Sequence, residues 1–360
     1  MSGILAYGTA IPRRRIAASD IRKVWGNLAE SFIDVLSIGE RAVLGPDEDT
    51  LTLAVAAARR CLERAGDGAA RSVGAVLLGT GTSPYATKAA ADVLKDALDL
   101  SPSVLACDVQ CAERSGSVAL ALARGLVESG ARETVLVVAA DTPNRHCAPG
   151  LVTEYVAGAG ACAVLVGRAP GIAELGAYVT HSWDQNDYFR VEGERYVQSG
   201  AGFYGWVANW GLLDHVVPAF AEFLAAAGAK VEDFDKFVVP QRTGIRALMA
   251  IGKTGLDPMQ ALPYVLTPMI GDAGAAQSFL VLAHILDWAE PGELVGVADY
   301  GSGAGCDVWS VRTTDALAER RPASSTVLSQ IEDKVMVDYA TMLKLEQKLL
   351  RPAGQLSNFY

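Results

Sequence analysis

Histidine and cysteine are thin in this 360-residue chain, four of the first and six of the second, and they never fall at the paired spacings of a zinc site. No metal centre is therefore expected. The cysteines, at 61, 107, 111, 147, 162 and 306, are too scattered for a disulfide framework and read as reduced, buried thiols of a cytoplasmic protein. Positive charge is short as well: 31 Lys and Arg stand against 41 Asp and Glu, a net of −10, so nucleic acid makes a poor partner. The densest basic cluster, Arg13-Arg14-Arg15, reads as solvated surface. Long apolar runs are missing too. A membrane helix needs roughly 20 uninterrupted apolar residues, and stretches such as Val197 to Leu213 are broken by Gln198, Ser199 and Asn209. Nor is a secretory signal expected, because the arginines follow the short apolar stretch Ile4–Ile11 instead of preceding it. Low-complexity tracts and charge blocks are wanting in a chain that is 51% hydrophobic, which excludes general disorder.

What is present is alternation. Gly74–Leu78, Val104–Asp108, Thr134–Ala140 and Ala161–Val166 are short apolar runs that read as buried strands. Between them, Thr52–Ala65 and Ser117–Ser129 carry apolar residues on a period near 3.6, with Arg124 and Glu128 on the far face. Strand and helix in alternation predict an α/β fold with a largely parallel sheet.

The order repeats. In the first half, strand 74–78, a helix, strand 104–110, a small-residue turn, helix 118–128 and strand 135–140 follow one another. In the second, Phe237–Pro240, a helical Ile245–Lys253, an apolar Val265–Ile270, the turn Gly271-Asp272-Ala273-Gly274, helix Ser278–Trp288 and strand Leu294–Ala298 match them in turn. A repeat this long is two duplicated units packed together, 1–170 and 171–321, with the strand-to-helix turns facing each other where ligands bind in open α/β sheets. Residues 176–211 are dense in aromatics and read as a covering segment within the second unit, not a core helix. Residues 322–360 form a tail, from the linker-like Arg320-Arg321-Pro322-Ala323-Ser324-Ser325 stretch to a polar helix or strand–helix packed on the body.

Seven stretches in order carry a resemblance: ERAVLGPDEDTLTLAVAAA (40–58), SPYATKAAADVL (83–94), DVQCAERSGSVALALARGLVESG (108–130), EYVAGAGACAVLVG (154–167), DYFRVEGERY (187–196), DYGSGAGCDVWSV (299–311) and VDYATMLKL (337–345). With these the chain resembles the thiolase superfamily, and within it the bacterial and archaeal 3-hydroxy-3-methylglutaryl-CoA (HMG-CoA) synthases. The resemblance implies an α/β thiolase fold, duplicated and five-layered (αβαβα), and a homodimer core. It also implies an acyl group passed from coenzyme A to a cysteine at a helix N-terminus, where the dipole and a histidine lower the thiol pKa.

Matched motif by motif, the family's cysteine position falls on Glu113, its histidine on Gln241, its asparagine on Asp272 and its acid/base glutamate on Gly81. All four depart from the pattern. A carboxylate is a poor acyl acceptor, and a glutamine cannot carry a proton at neutral pH. Glu113 and Asp272 in one pocket would repel, so one needs a raised pKa or a counter-charge, for which Arg114 and Arg242 are the neighbours in sequence. A closed pocket filled by a polar network is expected. Cys111, with Cys107 further back, is the fallback nucleophile, although a thiol at a strand end lacks helix-terminus activation. None of the histidines falls on a family catalytic position: His284 reads as a core or interface residue, His146 beside Cys147 as a pair within reach of the pocket but more usually structural, and His181 and His215 as having no evident partner. The glycine loop 301–305 reads either as a tight turn or as a border of the site, and GTGT at 79–82 is too short for a dinucleotide fingerprint.

The function implied is that of the HMG-CoA-synthase-like subunit of multi-subunit acyltransferases, similar to the monoacetylphloroglucinol acetyltransferase complex and an archaeal thiolase assembly. There a thiolase-like subunit carries the reactive cysteine and a small OB-fold and zinc-ribbon protein bridges the two. On that resemblance this chain is a scaffold that binds no cofactor itself, with acyl-CoA or another acyl donor used by the complex. Its aromatic segment 176–211 and tail 322–360 would offer contact surface. The alternative is a stand-alone acyl-CoA-handling transferase or decarboxylase that uses Glu113 or Cys111.

Overall fold

Side chains on the central strands alternate between two cores, which is what stacks the layers of this protein. The computed structural model describes residues 1–26, 37–168, 170–184, 188–198, 206–302, 305–321 and 325–349. Its first half holds β1 (Ser2–Ala10), β2 (Arg14–Ala17), α1 (Ala18–Trp25), β3 (Glu40–Val43), α2 (Thr50–Ala65), β4 (Val73–Gly79), α3 (Ala90–Ala97), β5 (Leu105–Val109), α4 (Ser115–Glu128), β6 (Thr134–Asp141) and β7 (Gly160–Arg168). The second holds β8 (Ala173–Ser182), α5 (Trp206–Ala227), β9 (Lys236–Val238), α6 (Gly244–Thr254), α7 (Gln277–Leu286), β10 (Leu294–Gly301) and β11 (Gly305–Thr313). A final run, α8 (Val327–Glu332), β12 (Val335–Met336) and α9 (Tyr339–Leu345), follows.

Nine strands join in the order β5-β4-β6-β7-β1-β8-β11-β10-β9. The duplication shows in this ladder. From the seam outward, β1, β7, β6 and β4 pair antiparallel, antiparallel and parallel, and β8, β11, β10 and β9 repeat that sequence. The halves meet where β1 touches β8 at Gly3↔Glu174 and Ile4↔Ala173. On β6, Val135, Val137 and Ala139 enter the core between the halves, whereas Leu136, Val138 and Ala140 face the outer core under α2 and α3. On β11, Trp309 and Val311 face inward, and Cys306 and Val308 pack under α5 and α6. The layers are therefore α2/α3, sheet, α4/α7, sheet, α5/α6, the thiolase arrangement.

The middle layer explains itself in the sequence. Every residue of α7 is buried, as its all-round apolar run QSFLVLAHIL demands of a helix between two sheets. Helix α2 starts at Asp49, whose carboxylate accepts from the Thr52 amide (2.8 Å) while Thr52 Oγ1 accepts from the Asp49 amide (2.7 Å). It buries Ala54, Ala57, Ala58 and Cys61 on one stripe.

Several expectations are corrected. The nine-stranded sheet is mixed and not largely parallel, because five of its eight strand pairings are antiparallel. The apolar Val265–Ile270 is not a strand, so among the described residues the second half has no counterpart of β5. Pro263 stands two residues before the run and Pro268 interrupts it, Thr267–Ile270 forms a helical turn, and the Leu266 and Thr267 amides go to the Gln241 side chain. The aromatic segment 176–211 is not one covering element. Residues up to Ser182 belong to β8 in mid-sheet, and α5 begins at Trp206; between them the described residues 183, 184 and 188–198 lie outside the layers, and 185–187 and 199–205 fall outside the described residues. Tyr178 illustrates the error, since an aromatic on a central strand is core packing.

Backbone contact fixes where α2 lies. A Cβ on Gly8 of β1 would stand 2.3 Å from the Cys61 amide nitrogen and 2.4 Å from the Ala57 carbonyl oxygen, whereas one on Gly125, exposed on α4, would meet nothing within 4 Å. Gly8→Ala is expected to destabilise the protein by about 3 kcal/mol or more through overpacking. Gly125→Ala is expected to stabilise it by up to about 1 kcal/mol. Urea denaturation of the two variants checks both signs.

Candidate functional site

The turn before α4, the glycine-containing turn before α7 and the β10–β11 loop converge between the two halves. Their meeting point is organised by Asp141 at the end of β6. Its Oδ1 accepts from Thr80 Oγ1 (2.8 Å), the Gly81 amide (2.9 Å) and Thr82 Oγ1 (2.6 Å), and its Oδ2 accepts from the Ala275 amide (2.8 Å). Burial still pushes its pKa up despite these four donors. Gly274, at φ +57°, has to be glycine here, because a Cβ would come 2.5 Å from Asp141 Oδ2.

Glu113 precedes α4 and follows Ala112, whose φ of +50° is unusual for a residue with a side chain. Its Oε2 accepts from the Ser302 amide at 2.7 Å, and its Oε1 lies 3.6 Å from Arg242 Nη2. The same guanidinium reaches Asp272 through Nε (3.6 Å), donates to Ser302 Oγ, and sits 4.0 Å over the Tyr188 ring. Asp272 is clamped by its backbone, with its amide donating to the Val156 carbonyl and its carbonyl accepting from Gly158, both at 2.7 Å. Its Oδ1 accepts from the Gly274 amide at 3.0 Å. Gln241 Oε1 is occupied by Leu266 N (2.7 Å) and Gln277 Nε2 (3.3 Å), so it acts as a brace and not as a proton carrier. Gly81 lies at the rim, with room for a Cβ 3.7 Å from Asp141 Oδ2 and 3.9 Å from the Ala112 carbonyl.

Glu113, Gln241 and Asp272 thus line one small cavity of about 30 Å³, shared with Arg242, Ser278, Asp299 and Ser302. That volume suits a water molecule or two. Glu113, Ser278 and Asp299 all line the cavity, and their buried Oε1, Oγ and Oδ2 atoms find no well-formed hydrogen bond within the protein. Desolvation raises the Glu113 carboxyl to about 7; Arg242 opposes the shift and Asp272 adds to it. Asp299 rises to about 8 through burial and its cross-strand neighbour Asp307.

Of the expected counter-charges, Arg242 takes the role and Arg114 does not. Arg114 turns to the second half, with Nη1 2.7 Å from Asp307 Oδ1 and Nη2 2.7 Å from Ser182 Oγ. Cys111 is half-buried with its thiol pKa pushed up by desolvation, which disfavours the thiolate a nucleophile needs. Cys107 is exposed at the β5 edge. Cys147 Sγ lies 3.7 Å from the Tyr188 hydroxyl and so lies behind the ring that carries Arg242, while burial lowers neighbouring His146 to about 4. His284 is buried, as expected. His181 does have a partner, Glu222, at 3.1 Å, and His215 packs edge-on against Trp183. The glycine loop is both of its readings: Gly301 pairs with Gly305 as the hairpin closes, and Ser302 binds Glu113.

Sequence reasoning missed Asp141, Asp299 and Tyr188. For the two aspartates a signal existed, since a carboxylate in an apolar strand (Asp141 ending TVLVVAAD, Asp299 within VGVADYG) is costly unless partnered.

The raised carboxyls set a pH dependence. Folded Glu113 and Asp299 hold protons that the unfolded chain releases near their ordinary values of 4.5 and 3.8. Their contribution to stability is therefore full below about pH 4, declines as pH rises, and is gone above about pH 8. Glu113→Gln is expected to flatten this decline by on the order of 3 kcal/mol between pH 4 and 8, read from urea midpoints across that range.

Comparison with known proteins agrees with this architecture. The 3-oxoacyl-(acyl-carrier-protein) synthase III family profile matches residues 107–182. The hydroxymethylglutaryl-CoA synthase of Methanosphaera stadtmanae is 37% identical over 350 residues, 97% of this chain and 99% of that protein. The enzyme of the same name from Methanothermobacter thermautotrophicus is 36% identical over 97% and 99%. Among solved structures, MvaS in complex with 3-hydroxy-3-methylglutaryl coenzyme A superposes with a TM-score of 0.85 at 23% identity, covering 97% of this chain and 92% of its own. HMG-CoA synthase complexed with CoA gives 0.85 at 21%, over 99% and 92%. With end-to-end coverage above 30% identity and the duplicated fold to match, this chain belongs to the hydroxymethylglutaryl-CoA synthase family.

Proposed function

We propose that this chain is an HMG-CoA synthase homologue that forms no acyl-enzyme and serves as the scaffolding subunit of a multi-subunit acyltransferase. The observation that carries the reading is Glu113: where the family's acyl-accepting cysteine is expected, a carboxylate is held by the Ser302 amide and faces Arg242. An acyl carboxylate would be a mixed anhydride, open to hydrolysis, and the 30 Å³ cavity leaves no room for an acyl chain. Gln241 and Asp272 stand at the expected histidine and asparagine positions, and Gly81 at that of the acid/base glutamate, so no proton-transfer pair remains of the kind the family uses.

In this reading the reactive cysteine belongs to a thiolase-like partner, and a small OB-fold and zinc-ribbon protein bridges the two chains. Acyl-CoA or another acyl donor is then used by the assembly. A homodimer would form through the free edge of β5, where Leu105 and, on neighbouring α4, Leu122 are exposed; an apolar sheet edge of this kind is ordinarily covered. Among the described residues no helix is long and apolar enough to cross a membrane.

A second reading has one observation in its favour. Glu113 at about 7 is poised for general acid–base work near neutral pH. Together with the name shared by the archaeal relatives, that supports a stand-alone transferase or decarboxylase acting on CoA thioesters, with Glu113 in place of the thiol chemistry.

The two readings separate by intact-mass spectrometry after incubation with acetyl-CoA or a phenolic acyl donor, and by co-purification from the native host. We expect no covalent adduct, no turnover by the isolated chain, and recovery with a thiolase-like protein and a small OB-fold protein. An adduct on Cys111, or turnover that Glu113→Gln abolishes, overturns the scaffold.

A further inference from the structure

The cavity beside Arg242 is small, polar and shared by the two halves. Glu113 comes to it from the turn before α4 in the first half, while Ser278 on α7 and Asp299 on β10 come from the second. Ser278 and Asp299 are each only 5% exposed. Buried polar atoms are ordinarily paired, yet Glu113 Oε1, Ser278 Oγ and Asp299 Oδ2 receive no well-formed hydrogen bond from the protein. Three such atoms, on three residues that line one cavity, call for an occupant.

Size and chemistry narrow what that occupant is. A buried water needs about 10–15 Å³ of cavity and two or more polar partners, and this cavity offers about 30 Å³. An anion would meet the Asp272 carboxyl and a cation the Arg242 guanidinium, both on the lining. Among the described residues no three His, Cys, Asp or Glu side chains are grouped to hold a metal ion. Water is neutral and can both donate and accept, which suits a lining of mixed sign.

The protein also decides where the protons sit. Glu113 Oε2 accepts the Ser302 amide at 2.7 Å, so the neutral carboxyl carries its proton on Oε1. Asp299 stands directly opposite Asp307 across β10 and β11. Asp307 is taken up by Arg114 and Ser117, which leaves Asp299 as the member of that pair that keeps a proton. Around Glu113 stand Arg242, Asp272 and Tyr188, and around Asp299 stand Asp307, Arg114, Tyr178 and Cys306. Burial pushes both tyrosines and the thiol up, so they stay neutral while the two carboxyls titrate, at about 7 and about 8. Groups this closely matched can exchange a proton through an intervening water, and losing either proton makes the other harder to remove.

We propose that one or two enclosed waters fill the cavity and join Glu113 to Ser278 and Asp299 across the two halves, with Asp299 as the proton partner of Glu113. The pairing holds whether or not the site performs chemistry, so it stands or falls apart from the scaffolding role.

A high-resolution crystal structure of the full chain, grown from rubidium salts, reads the occupant. Water density should connect Glu113 Oε1 to Asp299 Oδ2 by hydrogen bonds, with no anomalous signal from rubidium in the cavity. Carbon-13 titration of the side-chain carboxyls in solution reads the pairing. In Glu113→Gln the proton affinity of Asp299 should fall by on the order of tenfold, because the like charge that forms first is gone. Asp287, a buried carboxyl bound to Tyr7 elsewhere in the core, should titrate as before. An empty cavity, a rubidium peak in it, or an Asp299 titration that Glu113→Gln leaves in place overturns the proposal.

Discussion

One carboxylate ties the two halves at the point where the family works. Asp141 closes the turn after β4 with three donors and the turn before α7 with a fourth. Buried donors left unsatisfied cost more than the net worth of the bonds they make, so both turns are fixed to the same two oxygen atoms. The consequences spread outward. Gly274 must be glycine, and α4 must lie so close that a Cβ on Gly116 would stand 2.8 Å from Ala139 Cβ and 2.9 Å from the Phe279 ring. Glu113, in the turn before α4, and Asp272, in the turn before α7, then face one guanidinium, that of Arg242.

That geometry makes the site's electrostatics a matter of proton count. Glu113, Asp272, Asp299 and Asp307 share one buried region with Arg114 and Arg242. Acids outnumber bases there, and a low-dielectric region does not keep excess negative charge. Asp307 is the best served, by Arg114 and Ser117, and the shortfall falls on Glu113 and Asp299, the two whose pKa values rise to about 7 and 8. A thiol at position 113 would have left the cluster closer to balance. The carboxylate instead requires Arg242 as counter-charge, and Arg242 in place, stacked on Tyr188, is what fills the cavity.

How much of this was legible in the sequence depended on whether the deciding interactions were local. Strands β4, β6 and β7 could be read because central strands buried on both faces are uninterrupted apolar runs whichever way they pair, and α7 because it is apolar all round. Positions 113, 241 and 272 could be placed on one cavity because their motifs sit at the ends of elements the repeat predicts. Strand β1 was missed, since its sequence SGILAYGTA, with glycine and threonine among the apolar residues, gives no clean period; its glycine at 8 is there for α2. Val265–Ile270 misled for the opposite reason. Its composition suits a strand, and only the two prolines and the distant Gln241 side chain, which takes the amides a neighbouring strand would need, decide against one. Arg114 was assigned to the wrong partner because adjacency in sequence says nothing of direction. Ser115 begins a helix, and the arginine before it points across to β11 while the glutamate beside it points to the hairpin loop.

The same solution recurs wherever this chain buries charge: groups from distant parts of the sequence are brought together in sets that balance once protons are counted. Around Asp307 and Arg114 the set joins the two halves, around Arg242 it closes the cavity, and around Arg41 and Lys348 it seats the tail. Each set is expensive to break by removing one member and much cheaper to separate along a line that leaves both sides neutral. The tail set has two of its members, Glu346 and Lys348, on a segment that follows the layered body in the chain. The same segment buries Tyr339 and Met342 among Ile16, Ile21, Val43 and Val156, so charge and apolar packing seat it together. Residues 154–158 join this seat to the site, touching the tail on one side and holding Asp272 on the other.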